Sequence, residues 1–226
     1  MVIKGKVSVL IPAHNEARFI KATVENIKNI PEVDEIIVVD DASDDNTAQL
    51  ARAAGAIVFT LPTNLGKGGA LNKGLEMVTG DIVAMIDGDL ADTALEARKL
   101  IIPILEKKAD MTIARFPRTG KKAGLGLVKG LARNGIKFFT GLEMDAPLSG
   151  QRVMTKDVIL AIGNFASGYG VEVGLTIDVA RKGFKLLEVD TYMGHNETGR
   201  DLKGFIHRGK QFIHVARVLT KHLFSR

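Results

Sequence analysis

At 226 residues, with 46% hydrophobic and 25% charged side chains, the chain can bury a full core, as one large domain or as one domain with an extension. There is no cysteine, which excludes disulfides and thiolate metal sites. No apolar run approaches the ~20 residues that span a bilayer, and residues 1–6 carry no signal-peptide pattern, so the expectation is a cytoplasmic protein. The net charge of +5 points to anionic ligands, whereas 5% aromatic content without tryptophan argues against a base-stacking nucleic-acid surface.

The first predicted strand is Val7-Ser8-Val9-Leu10-Ile11-Pro12, stopped by proline and followed by the loop Ala13-His14-Asn15-Glu16. A helix is expected over 17–30, with Phe19, Ile20, Val24 and Ile27 on one face and Pro31 closing it. The second strand, 35–39, runs into Asp40-Asp41, and residues 42–47 combine turn and helix-capping chemistry. A helix over 47–54 stops at Gly55, a short strand covers 56–61, and Asn64-Leu65-Gly66-Lys67-Gly68-Gly69 opens a helix reaching about residue 78. Residues 82–86 are a continuous apolar run, the signature of a buried parallel strand, and they end in Asp87-Gly88-Asp89. This βαβαβαβ alternation predicts an α/β fold with a mostly parallel sheet and right-handed crossovers.

Strand ends on one edge of a parallel sheet converge in space, so the loops at 14–16, 40–41 and 87–89 are expected to meet. Asp87 and Asp89 form a hard oxygen pair suited to Mg²⁺ or Mn²⁺ carrying a diphosphate, and Gly88 between them leaves room for a nucleotide at the backbone. In isolation the same residues are also what an Asp-Gly surface turn looks like. Lys67 supplies the opposite charge from a glycine-rich loop. That loop has neither the P-loop spacing nor the Rossmann fingerprint.

Taken in order, 9–16, 37–45, 64–68 and 87–89 resemble the family-2 nucleotide-sugar glycosyltransferases of the GT-A fold, a Rossmann-like nucleotide-diphospho-sugar transferase architecture. The resemblance runs through about the first half of the chain and implies a metal-dependent transferase. By that resemblance Pro12, Ala13, Asn15, Glu16 and Asp41 hold the nucleoside, Lys67 borders the nucleotide, and Asp87, Gly88 and Asp89 form the D-x-D element, with Asp89 on the metal.

Further along, a helix is expected over 92–107, bent at its end by Pro103, and a strand over 110–115. Residues 118–130 read as a basic, glycine-rich loop, either solvated or an anion-seeking lid, and 131–139 as a helix. The segment 145–152, with Ser149-Gly150-Gln151-Arg152, resembles the acceptor side of the same enzymes. The run 168–178, with 187–190 and 194–196, resembles their glucosyl-3-phosphoglycerate synthase branch. That likeness implies Glu172 at the sugar and acceptor, as a catalytic residue with Asp89, and His195 completing the metal site. Gly150, Arg152, Asn196 and Arg200 are the expected acceptor residues, the two arginines because guanidinium matches phosphate and carboxylate bidentately. The chain departs from the branch around Thr198-Gly199-Arg200-Asp201.

The expected division is a catalytic domain over 1–200, with a donor half to residue 115 and an acceptor half after it, followed by a basic helix over 201–226. That helix either packs on the domain or lies on a membrane surface; a peripheral membrane contact and a homodimer are both left open. The function so read moves a hexose from a nucleotide-diphosphate sugar, UDP-glucose first and GDP-mannose second. The acceptor is anionic, a phosphoglycerate-like acid or a polyprenyl phosphate. The alternatives are a nucleotidyltransferase, whose usual glycine-rich loop after the first strand is replaced here by Pro12 to Glu16, and a non-catalytic sugar-nucleotide-binding module.

Overall fold

The computed structural model describes residues 5–116, 126–165, 170–194 and 202–224. Seven strands form one sheet in the order β3-β2-β1-β4-β6-β5-β7. β1 (Val7–Ala13), β2 (Glu35–Asp40), β3 (Ile57–Thr60) and β4 (Ile82–Met85) are parallel, as the alternation predicts. β6 (Arg152–Thr155) is antiparallel to both β4 and β5 (Met111–Arg115), and β7 (Leu186–Asp190) returns parallel to β5.

Period-two alternation splits the strand residues between two apolar clusters. Val7, Val9 and Ile11 join one, under α1 (Ile20–Lys28), α2 (Thr47–Ala53) and α4 (Ala97–Leu105). Leu10, Val83 and Met85 join the other, under α3 (Gly66–Leu75), α5 (Gly126–Thr140), α6 (Lys156–Ile162) and α7 (Val171–Arg181). The C-terminal helix α8 (Leu202–Phe224) packs on α5 and α7, and its Val215 is fully buried in that second cluster. Among the described residues no helix is long and apolar enough to cross a membrane.

Two sequence expectations change here. The helix expected over 92–107 is a 3-10 turn at Ala91–Glu96 followed by α4, because Ala91 sits at φ +45° and offsets the start. Pro103 lies inside the last turn of α4, and its carbonyl accepts from the Lys108 amide. Residues 126–130, read as part of a loop, are the first turns of α5, since Val128 faces the core and registers the helix. The basic residues at 118–122 lie outside the described segments.

Candidate active site at the carboxyl edge of the sheet

The loops that leave β1 and β2 are tied to one another before any ligand is considered. The Asp41 amide donates to the Ala13 carbonyl (2.8 Å), and the Asn15 and Glu16 amides donate to Ser43 Oγ (2.9 Å) and Thr47 Oγ1 (2.8 Å). The Asp44 amide returns a bond to Asn15 Oδ1 at 2.9 Å. Asn15 (φ +58°) and Ala42 (φ +55°) both adopt left-handed backbone at this junction. Asparagine tolerates that conformation, whereas for alanine it is strain held in place by the surrounding bonds. Pro12 and Ala13 close β1 opposite Val39 and Asp40.

Asp41 is buried, only 3% exposed, and its carboxylate accepts from the Leu65 amide at 2.7 Å. It therefore fixes the start of the glycine-rich segment. Gly66, at φ +72°, begins α3, and Lys67 in its first turn reaches back across the sheet edge. Lys67 Nζ lies 2.6 Å from Asp87 Oδ1 and 3.6 Å from Glu172 Oε1. Burial works against the ammonium, but Asp87 and Glu172 outweigh it and hold its pKa above the ordinary lysine value. Glu172 stands in the first turn of α7, so residues from opposite halves of the chain meet at one cation.

The turn after β4 is held from α1. Thr23 Oγ1 donates to the Gly88 carbonyl (2.8 Å) and accepts from the Ala91 amide (2.8 Å). A Cβ at Gly88 would lie 3.5 Å from Glu16 Cγ and 3.6 Å from Ala13 Cβ, so the D-x-D turn abuts the first loop. The proximity shows electrostatically. Burial first, then the charges of Asp89, Asp87 and Asp45, raise the Glu16 pKa to about 7 against a small opposing effect of His14. Among the described residues no group of three or more His, Asp or Glu side chains is arranged to hold a metal.

Gly150 is placed against the donor-side residues. A Cβ there would lie 2.3 Å from Lys67 Nζ, 3.3 Å from Asp87 Oδ2 and 3.6 Å from Glu172 Oε1. Arg152 does not present the clamp expected of it. It is fully buried on β6, donating from Nε to the Ser149 carbonyl and from Nη1 to Thr176 Oγ1, both at 2.9 Å, while Nη2 has no partner. Burial lowers its pKa to about 10, opposed by Glu172 and Glu188. The physical reason is register: the antiparallel pairing sets Arg152 opposite Met85, inside the sheet and below its edge. His195, Asn196 and Arg200 lie outside the described residues.

Gln151, grouped by sequence with the acceptor-side segment but given no role of its own, is a site residue. It is fully buried, and its side chain makes two bonds with Asp87: the Asp87 amide donates to Oε1 (2.9 Å) and Nε2 donates to Oδ2 (2.6 Å). No local signal marks it, because its place follows from β6 pairing backward onto β4.

The family model for glycosyl transferase family 2 matches residues 8–147. The chain belongs to that family. A glucosyl-3-phosphoglycerate synthase from Mycolicibacterium smegmatis is 35% identical over 192 residues, covering 76% of this chain and 63% of the relative. Glycosyltransferase AglJ from Haloferax volcanii is 29% identical over 199 residues, covering 86% of this chain and 65% of the relative. The chain therefore spans a little under two thirds of these relatives' lengths. Among solved structures, the Mycobacterium tuberculosis glucosyl-3-phosphoglycerate synthase in complex with Mn²⁺, UDP and glucosyl-3-phosphoglycerate superposes with a TM-score of 0.79 at 29% identity, covering 96% of this chain and 79% of that one. The same synthase has also been solved with Mg²⁺ and UDP. With these, the architecture is the GT-A fold.

Proposed function

We propose that the chain is a metal-dependent glycosyltransferase that takes a hexose from a nucleotide-diphosphate sugar, UDP-glucose in the first instance, and passes it to an anionic acceptor. The observation that carries this reading is the meeting of Lys67, Asp87 and Glu172 beside the interlocked loops of β1 and β2. A diphosphate laid on this edge meets a fixed ammonium and a dense group of carboxylates. Burial first, and then the neighbouring acids Asp89, Asp87 and Asp45, raise the Glu16 pKa to about 7, and a divalent cation would relieve the repulsion among those acids. Hard oxygen donors suit Mg²⁺ or Mn²⁺, with Asp89 the ligand and His195 its proposed companion. When bound, that cation supplies charge stabilisation for the departing nucleoside diphosphate.

The chain's own groups do the rest. Lys67 faces the developing phosphate charge. Glu172, held by that lysine, is placed to orient the sugar or to take a proton from a hydroxyl acceptor. Pro12, Ala13, Asn15 and Glu16 line the nucleoside side, and Asp41 supports them from below. By the resemblance Asn196 and Arg200 belong to the acceptor side, and Gly150 borders it from its place beside Lys67 and Asp87.

The test is UDP release from UDP-glucose with Mn²⁺ and 3-phosphoglycerate, set against GDP-mannose. Acceptor-dependent UDP release supports the reading, and pyrophosphate release from UTP with a sugar phosphate would replace it with nucleotidyl transfer. A lipid phosphate as acceptor is favoured by a separate observation. Residues 202–224 contain no carboxylate but five lysines and arginines; Leu127, Phe138, Leu223 and Phe224 stand exposed on α5 and α8, and Phe138 and Leu223 line an open groove of about 380 Å³ between the two helices. That basic composition together with those exposed apolar side chains suits an anionic bilayer. Flotation with anionic but not zwitterionic vesicles supports that acceptor; failure to float returns the choice to the small acid.

A further inference from the structure

We propose that Gln151 is a positioning residue of the donor site, and that its amide holds Asp87 in the orientation that seats Lys67. The proposal deepens the glycosyltransferase reading and rests on it only for the identity of the ligand. β6 runs antiparallel to β4 with Arg152 opposite Met85, so Gln151 stands opposite Ile86 and directly beside Asp87. Its own carbonyl accepts from the Ala114 amide at 3.0 Å, which fixes its backbone to the neighbouring strand. From that anchored position the side chain meets both hydrogen-bonding ends of one residue, the Asp87 amide at 2.9 Å and the Asp87 carboxylate at 2.6 Å.

Only an amide can do this. The backbone N–H needs an acceptor and the ionised carboxylate needs a donor, and glutamine offers one of each at the right separation. The two bonds also fix which way round the amide lies. With Oδ2 taken by Gln151, Oδ1 is the oxygen turned to Lys67 Nζ, at 2.6 Å. Gly150 completes the seat, because a Cβ at that position would occupy the space of the ammonium. The Gly150-Gln151 pair, which the sequence places with the acceptor, is thus built into the donor side. Both carboxylate oxygens of Asp87 face protein donors.

The claim is that Gln151 acts through Asp87, and a double-mutant cycle isolates that coupling. The probe is UDP with Mn²⁺, titrated calorimetrically. Gln151→Met is expected to weaken UDP binding by about tenfold in the otherwise native chain, the range seen when groups supporting a metal site are removed. In an Asp87→Asn background the same substitution is expected to change affinity by less than about twofold. Equal losses in both backgrounds would mean that Gln151 supports the fold generally, and would overturn the proposal. Gln151→Glu, equal in size and keeping the acceptor for the Asp87 amide, provides the cycle if Gln151→Met does not fold. A wild-type chain that binds no UDP would sink the glycosyltransferase reading. The positioning claim would still be decided by the unliganded crystal structure of the Gln151 variant: Lys67 Nζ displaced from Asp87 upholds it, and an unchanged pair refutes it.

Discussion

The two edges of the sheet treat their carboxylates in opposite ways. At the amino edge Glu35 is surrounded by donors: Ser8 Oγ, the Thr79 amide and hydroxyl at 2.8 Å, and Lys6 Nζ at 3.3 Å. Burial alone would raise its pKa, but these bonds outweigh it and bring it down to about 2. At the carboxyl edge Glu16 is buried among other acids, and its pKa rises to about 7. One edge is satisfied and contributes stability. The other carries a surplus of negative charge and costs stability, and that is where Lys67 and the proposed cation belong. Because the strands run parallel, each loop's place in the chain decides which edge it serves.

The largest effect that would sharpen this contrast is at Asp89. Asp89→Ala is expected to lower Mn²⁺-dependent turnover by about a thousandfold, the scale of several kcal/mol of lost charge stabilisation, with melting temperature little changed. Full activity at low Mn²⁺ would remove Asp89 from the ligand set.

Next come two glycines, one at each edge. A Cβ at Gly150 meets the flexible end of Lys67 at 2.3 Å, with the side-chain oxygens of Asp87 and Glu172 at 3.3 and 3.6 Å and no backbone among the three nearest atoms. Gly150→Ala should therefore cost kcat/KM by about thirtyfold through displacement of the ammonium, and leave stability nearly intact. A Cβ at Gly80 meets Ser8 Oγ at 2.5 Å and the Lys6 carbonyl at 2.6 Å. Backbone cannot step aside so cheaply, so Gly80→Ala should cost about 2 kcal/mol of stability while the rate per folded molecule is retained. Denaturant melts paired with rate measurements check both. If the two variants lose the same property, the division between edges fails.

The smaller effects are pH-dependent. Glu35 has a depressed folded pKa, so its contribution is present above its ordinary 4.5 and lost as the pH falls toward about 2. Glu35→Gln should cost about 2 kcal/mol at pH 7, an amount that shrinks to nothing in acid, read from chemical melts. Glu16 is the reverse. Its folded pKa is raised, so the folded state keeps a proton that the unfolded chain gives up above 4.5, and stability falls as the pH rises from there through about 7. Because the group is partly solvated, Glu16→Gln should stabilise the metal-free protein by only about 1 kcal/mol at pH 8, with no difference at pH 4. A stabilisation that grew toward acid pH would contradict the crowding argument.

How far this was legible in the sequence follows from the same geometry. The parallel half repeats one unit of strand, loop and helix, so Asn15, Glu16, Asp41, Asp87 and Asp89 could be placed on one edge from hydrophobic runs and turn residues alone. The other half breaks that rule. β6 enters antiparallel between β4 and β5, and nothing in Arg152-Val153-Met154-Thr155 announces its direction. That is why Arg152, expected to clamp the acceptor, lies in the core, and why Gln151, grouped with the acceptor segment, meets Asp87. The Lys67–Glu172 approach was hidden for a related reason, since it joins the first turns of α3 and α7, helices far apart in the chain. Local pattern specifies which loops exist, and long-range pairing decides which residues they meet.

The most direct test of the central claim, a metal-dependent nucleotide-sugar site at the carboxyl edge, is a thermal-shift panel of nucleotide sugars with and without Mn²⁺, run on the wild type and on Asp89→Ala. A ligand that binds only the folded state raises its melting temperature by mass action. The account predicts the largest shift for UDP-glucose, a shift that needs Mn²⁺ and disappears in Asp89→Ala. Equal shifts with and without metal in both proteins, or no response to any nucleotide sugar, would contradict it.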